Sequence, residues 1–164
     1  MKKNKLINIF KRFKIEDISL STEAAGINIS YTNWDKEAAW LMYVELLTRV
    51  TTQPLNNEGD EITALQSIYN IFNITRDILK NYGRKAVNFT KIAIIILNQK
   101  IRPFTTKWHK ISINNKFDDK NLSNEFREEL ESLRKILIGY TKMLADMANV
   151  EDLTFLYISF PLVK

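Results

Sequence analysis

The chain contains no cysteine, which excludes a disulfide framework and every cysteine-ligated zinc site. A single histidine in 164 residues rules out a multi-histidine metal site within one chain. Four glycines and three prolines are too few for a turn-rich architecture and favour long regular elements. Long apolar runs are missing too. Ile92–Leu97 falls far short of the roughly 20 residues a membrane-spanning helix needs. No glycine-rich phosphate loop, nucleophile elbow or zinc-protease motif is present. No cofactor or metal is implied, and the adjacent acids Asp118-Asp119 and Glu128-Glu129 read as solvated charge.

Basic charge is present but unevenly placed. The net charge is +5, and the first 14 residues carry six bases and no acid. The remainder has 18 Lys and Arg against 19 Asp and Glu. The domain proper is therefore close to neutral, which argues against a broad nucleic-acid-binding face. Residues 1–14 form a basic amphipathic arm, with Leu6, Ile9, Phe10 and Phe13 at helical spacing. Two readings follow. The apolar stripe packs on the core, or Lys2, Lys3, Lys5, Phe10, Lys11, Arg12 and Phe13 contact an anionic membrane or a partner. Lys and Arg interrupt the stripe, so a secretory signal is not expected.

Residues 15–32 alternate apolar and polar around Ala25-Gly26, which predicts a β-hairpin. From residue 33 to 164 the pattern is helical, giving one mainly α domain: a bundle of four or more helices. The first helix, 33–53, starts at a capping box of Thr32 and Asp35. It is apolar on nearly every side, which predicts a central position. Glu45 and Arg49 stand one turn apart and should pair. The second helix covers 60–82, with Gly83 as its C-terminal cap. The third covers 85–101, with Pro103 expected to end it. A polar connection follows, and the last helix runs from about 123 to 148. In it Phe126, Leu130, Leu133, Leu137, Tyr140, Leu144 and Met147 keep a steady four-three alternation. That stripe closes the core or forms a dimer seam. The apolar tail, Thr154–Lys164, needs cover from an added strand or a partner chain.

The stretch Arg102-Pro-Phe-Thr-Thr-Lys-Trp-His109 concentrates an arginine, two aromatics and the single histidine. Phe104 and Trp108 at i, i+4 suit a packed corner, with His109 donating to a helix-end carbonyl. The same stretch resembles the arginine–histidine motif of HEPN proteins, a superfamily of small helical proteins. The resemblance covers these eight positions, and Pro103 stands where such motifs often carry a polar residue. It implies a metal-independent endoribonuclease, active across a dimer, with Arg102 and His109 as catalytic residues. The histidine would move a proton at the ribose 2′-hydroxyl, and the arginine would hold the phosphate. If the helix ends meet, Arg49, Gln53, Arg102 and Lys107 provide an anion-binding pocket beside His109.

The leading expectation is non-enzymatic. It is a helical interaction or assembly module that self-associates or binds a protein partner through its tail or last helix. RNA and an anionic membrane surface are the rival partners. A cytoplasmic protein, peripheral to a membrane if the arm binds one, is expected. The Lys-, Asn- and Ile-rich composition fits an AT-rich bacterial genome and a conflict or antiviral defence system.

Overall fold

A computed structural model describes residues 5–20, 29–49, 55–114 and 116–157. Among these the protein is helical, with six α-helices: α1 Lys5–Arg12, α2 Asn33–Leu47, α3 Glu61–Tyr82, α4 Val87–Ile96, α5 Arg102–Ile113 and α6 Lys120–Ala148. Short 3-10 turns at Lys116–Asp118 and Thr154–Tyr157 flank α6. Helix α2 packs against α3, α4 and α6, and α5 packs against α3 and α6. The core is continuous from Leu6 and Phe10 of α1 to Met147 of α6.

Local chemistry starts these helices where the sequence indicates. Thr32 accepts from the Asp35 amide at 3.1 Å and Asp35 accepts from the Thr32 amide at 2.9 Å, closing the capping box. Asp60 caps α3 through the Thr63 amide at 2.8 Å. Helix α4 has no side-chain cap of its own. Asp35 supplies one across the bundle, accepting from the amides of Asn88 and Phe89 at 3.0 Å each. One buried carboxylate therefore satisfies the free N–H groups of two helix ends.

Two expectations are corrected. Pro103 does not end a helix, because α4 continues into α5 through a π-helical turn, Leu97–Ile101. In a regular α-helix the proline ring meets the carbonyl four residues back. The wider turn before it removes that conflict, with the Arg102 amide bonded to the Leu97 carbonyl. The Thr105 hydroxyl then donates to the carbonyls of Ile101 and Arg102, at 3.2 and 3.1 Å.

The second correction is the hairpin. No strand occurs among the described residues, and the expected turn at Ala25-Gly26 lies outside them. Its first arm instead lies on the π turn. Gln99 accepts from the Ser19 amide at 2.8 Å and donates to the Ser19 carbonyl at 2.6 Å. Lys100 donates to the Asp17 carbonyl at 3.2 Å. A side-chain amide thus takes the place of a neighbouring strand, while Ile18, Leu20, Ile29 and Tyr31 pack on the core.

Helix α2 is central, packed on α3, α4 and α6, but one side of it stays open. Ala38, Ala39, Met42, Tyr43 and Leu46 are buried, but Trp40, Leu41 and Val44 are 44%, 38% and 37% exposed. The four-three stripe of α6 is buried along its whole length and packs into the core.

Candidate functional site

Helix α5 divides the Arg102–His109 stretch into two sides. Phe104, Thr105 and Trp108 face inward, while Arg102, Thr106 and His109 are exposed. The Trp108 ring stacks on Phe117 at 5.9 Å and meets the Phe126 edge at 5.1 Å. Its indole N–H donates to Glu129 Oε2 at 2.9 Å. Lys107 lies on the α6 side, with Nζ donating to Glu125 at 2.6 Å and also to Glu129. Those contacts hold its ammonium form, and its pKa is raised. The inward half of this stretch is therefore the packed corner.

The outward half lies over α3. The His109 ring rests 5.6 Å from the Tyr69 ring. The Arg102 guanidinium sits 5.2 Å from the Phe72 ring, and its Nε donates to Asn98 Oδ1 at 3.1 Å. That bond draws Arg102 toward the start of α5, away from His109. Residues seven apart share a helix face but are separated by about 10 Å along its axis.

His109 also lines a groove of about 800 Å3 with Arg49 from the end of α2 and with Gln66, Tyr69 and Asn73 of α3. Arg49 donates from Nε and Nη2 to Glu45 Oε2 at 3.1 and 2.7 Å. Arg49 and His109 are thus brought to one groove. Arg102 stands outside that lining, Lys107 is on the other side of α5, and Gln53 lies outside the described residues. An imidazole and a guanidinium in one concave site have the chemistry to hold an anion and move a proton.

The basic arm is divided as well. Leu6 and Phe10 are buried and Phe13 is partly so, because α1 docks its apolar stripe on the core. Phe10 is accordingly not at the surface for a membrane or partner contact. Lys5, Lys11 and Arg12 are exposed, and Lys2 and Lys3 lie outside the described residues. Among the described residues no helix is long and apolar enough to cross a membrane.

The largest departure from the sequence reading is the outer side of α2. Trp40, Leu41 and Val44 fall at i, i+1 and i+4, on one exposed face. The Trp40 ring lies 5.9 Å from that of Tyr43. The Tyr43 hydroxyl donates to the Glu151 carbonyl at 3.0 Å and accepts from the Leu153 amide at 2.9 Å. This pair of bonds holds the chain beyond α6 beside α2, where Phe155 and Leu156 are about half exposed. The all-round apolar pattern of α2 was the available signal, since a helix apolar on every side is either enclosed or partnered. Of the other tryptophans, Trp108 is interior and Trp34 lies 6.2 Å from the Tyr82 ring.

Comparisons with family models, curated proteins and solved structures return no match.

Proposed function

We propose that this chain is a non-enzymatic interaction and assembly module of the cytoplasm. Its docking surface is the outer face of α2 with the tail beside it, and its partner is a second copy of the chain. The observation that carries this reading is the exposure of Trp40, Leu41 and Val44 on a helix whose other faces are buried. Large apolar side chains grouped on one surface favour association, and tryptophan is a frequent anchor. The stripe is self-complementary. Two α2 helices crossing antiparallel about a twofold axis place Trp40 of each copy near Val44 of the other, with Leu41 close to the axis. Phe155 and Leu156 of the tail, about half exposed, are the second apolar element available to such an interface. Burial of the α6 stripe supports α2 over α6 as the seam. Composition alone supports a setting in bacterial conflict or antiviral defence.

Sedimentation velocity over a concentration series tests this. The wild type is expected to shift from monomer to dimer, while Trp40→Glu and a chain cut before Phe155 remain monomeric or dimerise more weakly. A monomeric wild type throughout the series overturns self-association.

A second reading, a HEPN-like metal-independent endoribonuclease, is favoured by one observation: His109 and Arg49 line a common groove. In this reading His109 moves the proton, and Arg102 reaches the phosphate only from another copy or after releasing Asn98. Incubation with mixed RNA in EDTA, beside folded His109→Ala, decides it. Cleavage by wild type alone supports the nuclease. Equal outcomes for the two proteins oppose it.

A further inference from the structure

Away from both surfaces, the C-terminal end of α1 meets α6 in a groove of about 460 Å3. Its lining includes Arg12, Lys14, Lys135 and Lys142, with Phe13 and Ile138 as its apolar part and Gly139. Lys135, Ile138, Gly139 and Lys142 are spaced i, i+3, i+4 and i+7, so they form one stripe over two turns of α6. Arg12 and Lys14 approach from α1.

The approach depends on Gly139. A Cβ there would lie 2.4 Å from the Phe13 carbonyl oxygen and 3.2 Å from Ile15. Glycine is a poor residue for a helix interior, but here its missing side chain admits the α1 terminus. That terminus closes with Lys14 in the left-handed conformation, φ 58°. The Ile15 amide bonds the Phe10 carbonyl at 2.9 Å, and the Lys14 amide bonds Lys11 at 3.0 Å. The local backbone thereby fixes Arg12 and Lys14 at the groove edge.

The charge in this groove is poorly compensated. Arg12 has a loose, exposed pairing with Asp146 at 3.7 Å and stands over the Phe13 ring at 5.4 Å. Among the described residues, Lys14, Lys135 and Lys142 have no ion pair. Of the nearby acids on α6, Glu131 is bonded to Arg134 at 2.6 Å and feels the Lys135 charge only at longer range, and Asp146 pairs loosely with Arg12. Four cations around a concavity of this size raise the local concentration of anions.

We propose that this groove binds a phosphate-bearing anion, supplied either by a lipid head group or by a soluble polyphosphate. The lysines and Arg12 neutralise the phosphate oxygens, and the wall of Phe13 and Ile138 accepts the adjoining apolar part. The site is independent of the α2 docking face.

The probes are pyrophosphate, followed by calorimetry, and phosphatidylcholine vesicles with or without phosphatidylglycerol, followed by co-sedimentation. The full chain is compared with Lys135→Glu/Lys142→Glu and with a charge-matched control, Lys80→Glu/Lys110→Glu. All four lysines are exposed, so circular dichroism should show each variant folded. Binding that weakens at least ~10-fold in the groove variant but not in the control supports the site. Response to pyrophosphate identifies a soluble ligand, and response only to vesicles containing phosphatidylglycerol identifies a lipid. Equal losses in the groove and control variants, or wild-type binding to neither probe at low salt, overturn the proposal.

Discussion

At the scale of single residues, the most consequential side chain is Asp35. It serves its own helix through Thr32 and a distant one through Asn88 and Phe89. Asp35→Ala should remove a cap and leave amides unsatisfied at the α4 start, costing about 3 kcal/mol in denaturant unfolding. A loss of only a few tenths would mean that α4 does not rely on this carboxylate. The half of this role played with Thr32 is legible from a three-residue spacing. The other half joins positions more than fifty apart, and no local pattern carries it. Tyr140 gives the opposite expectation. Its hydroxyl is buried without a hydrogen-bond partner among the described residues, and burial pushes its pKa well above the ordinary phenol value. Tyr140→Phe should therefore unfold at the same temperature as wild type or slightly higher. A clear loss of stability would reveal a bond to this hydroxyl. In the sequence Tyr140 is simply one member of an apolar stripe.

At the scale of elements, the join between the α3 start and α6 is electrostatic. Arg127 donates to Glu61 at 2.7 Å and to the carbonyls of Asn56 and Gly59 at 2.9 and 2.7 Å. Ser123 adds a bond to the same Glu61 oxygen at 2.6 Å. Burial raises the Glu61 pKa, but the bonds from Ser123, from its own backbone amide and from Arg127 outweigh it and hold the carboxyl low. A depressed carboxyl pKa stabilises the fold above the unfolded value of about 4.3, and that gain disappears as pH falls through the folded value. Asp60 and Glu131 are also held low, by Thr63 and Arg134 respectively, so acid lability is shared. Glu61→Gln should therefore lose less stability than wild type between about pH 5 and pH 3, read as the change in melting temperature. Identical slopes would contradict the assignment to Glu61.

Elements also separate what the sequence shows from what tertiary contacts decide. The α6 stripe and the Glu45–Arg49 pair are local periodicities, and both occur as expected. Alternation at Ile18 and Leu20 is real as an inward–outward pattern, but the backbone partner of this segment is the Gln99 side chain, eighty positions from Ser19. Pro103 reads as a helix end because local rules cannot anticipate a π turn that accommodates it. Trp108 and Lys107 show how one short stretch serves two purposes. Their contacts with Glu129 belong to packing, while His109 on the next position faces the groove.

At the scale of the whole molecule, the described residues leave the outer face of α2 exposed and a basic groove between α1 and α6 weakly neutralised. The α2 face was present in the sequence as excess apolarity, but only the packing distinguishes its enclosed sides from its open one. The groove was not legible, because its cations come from two helices more than one hundred residues apart and meet where Gly139 admits Phe13. Association through α2 can be tested directly because the chain has no cysteine. A single cysteine at Leu41, near the proposed twofold axis, makes a clean reporter, with the exposed Ile94 replaced by cysteine as the control. Mild oxidation followed by denaturing, non-reducing electrophoresis should give Leu41→Cys as a double-mass species and leave Ile94→Cys monomeric. Equal cross-linking of the two variants, or none in either, would contradict the α2 interface.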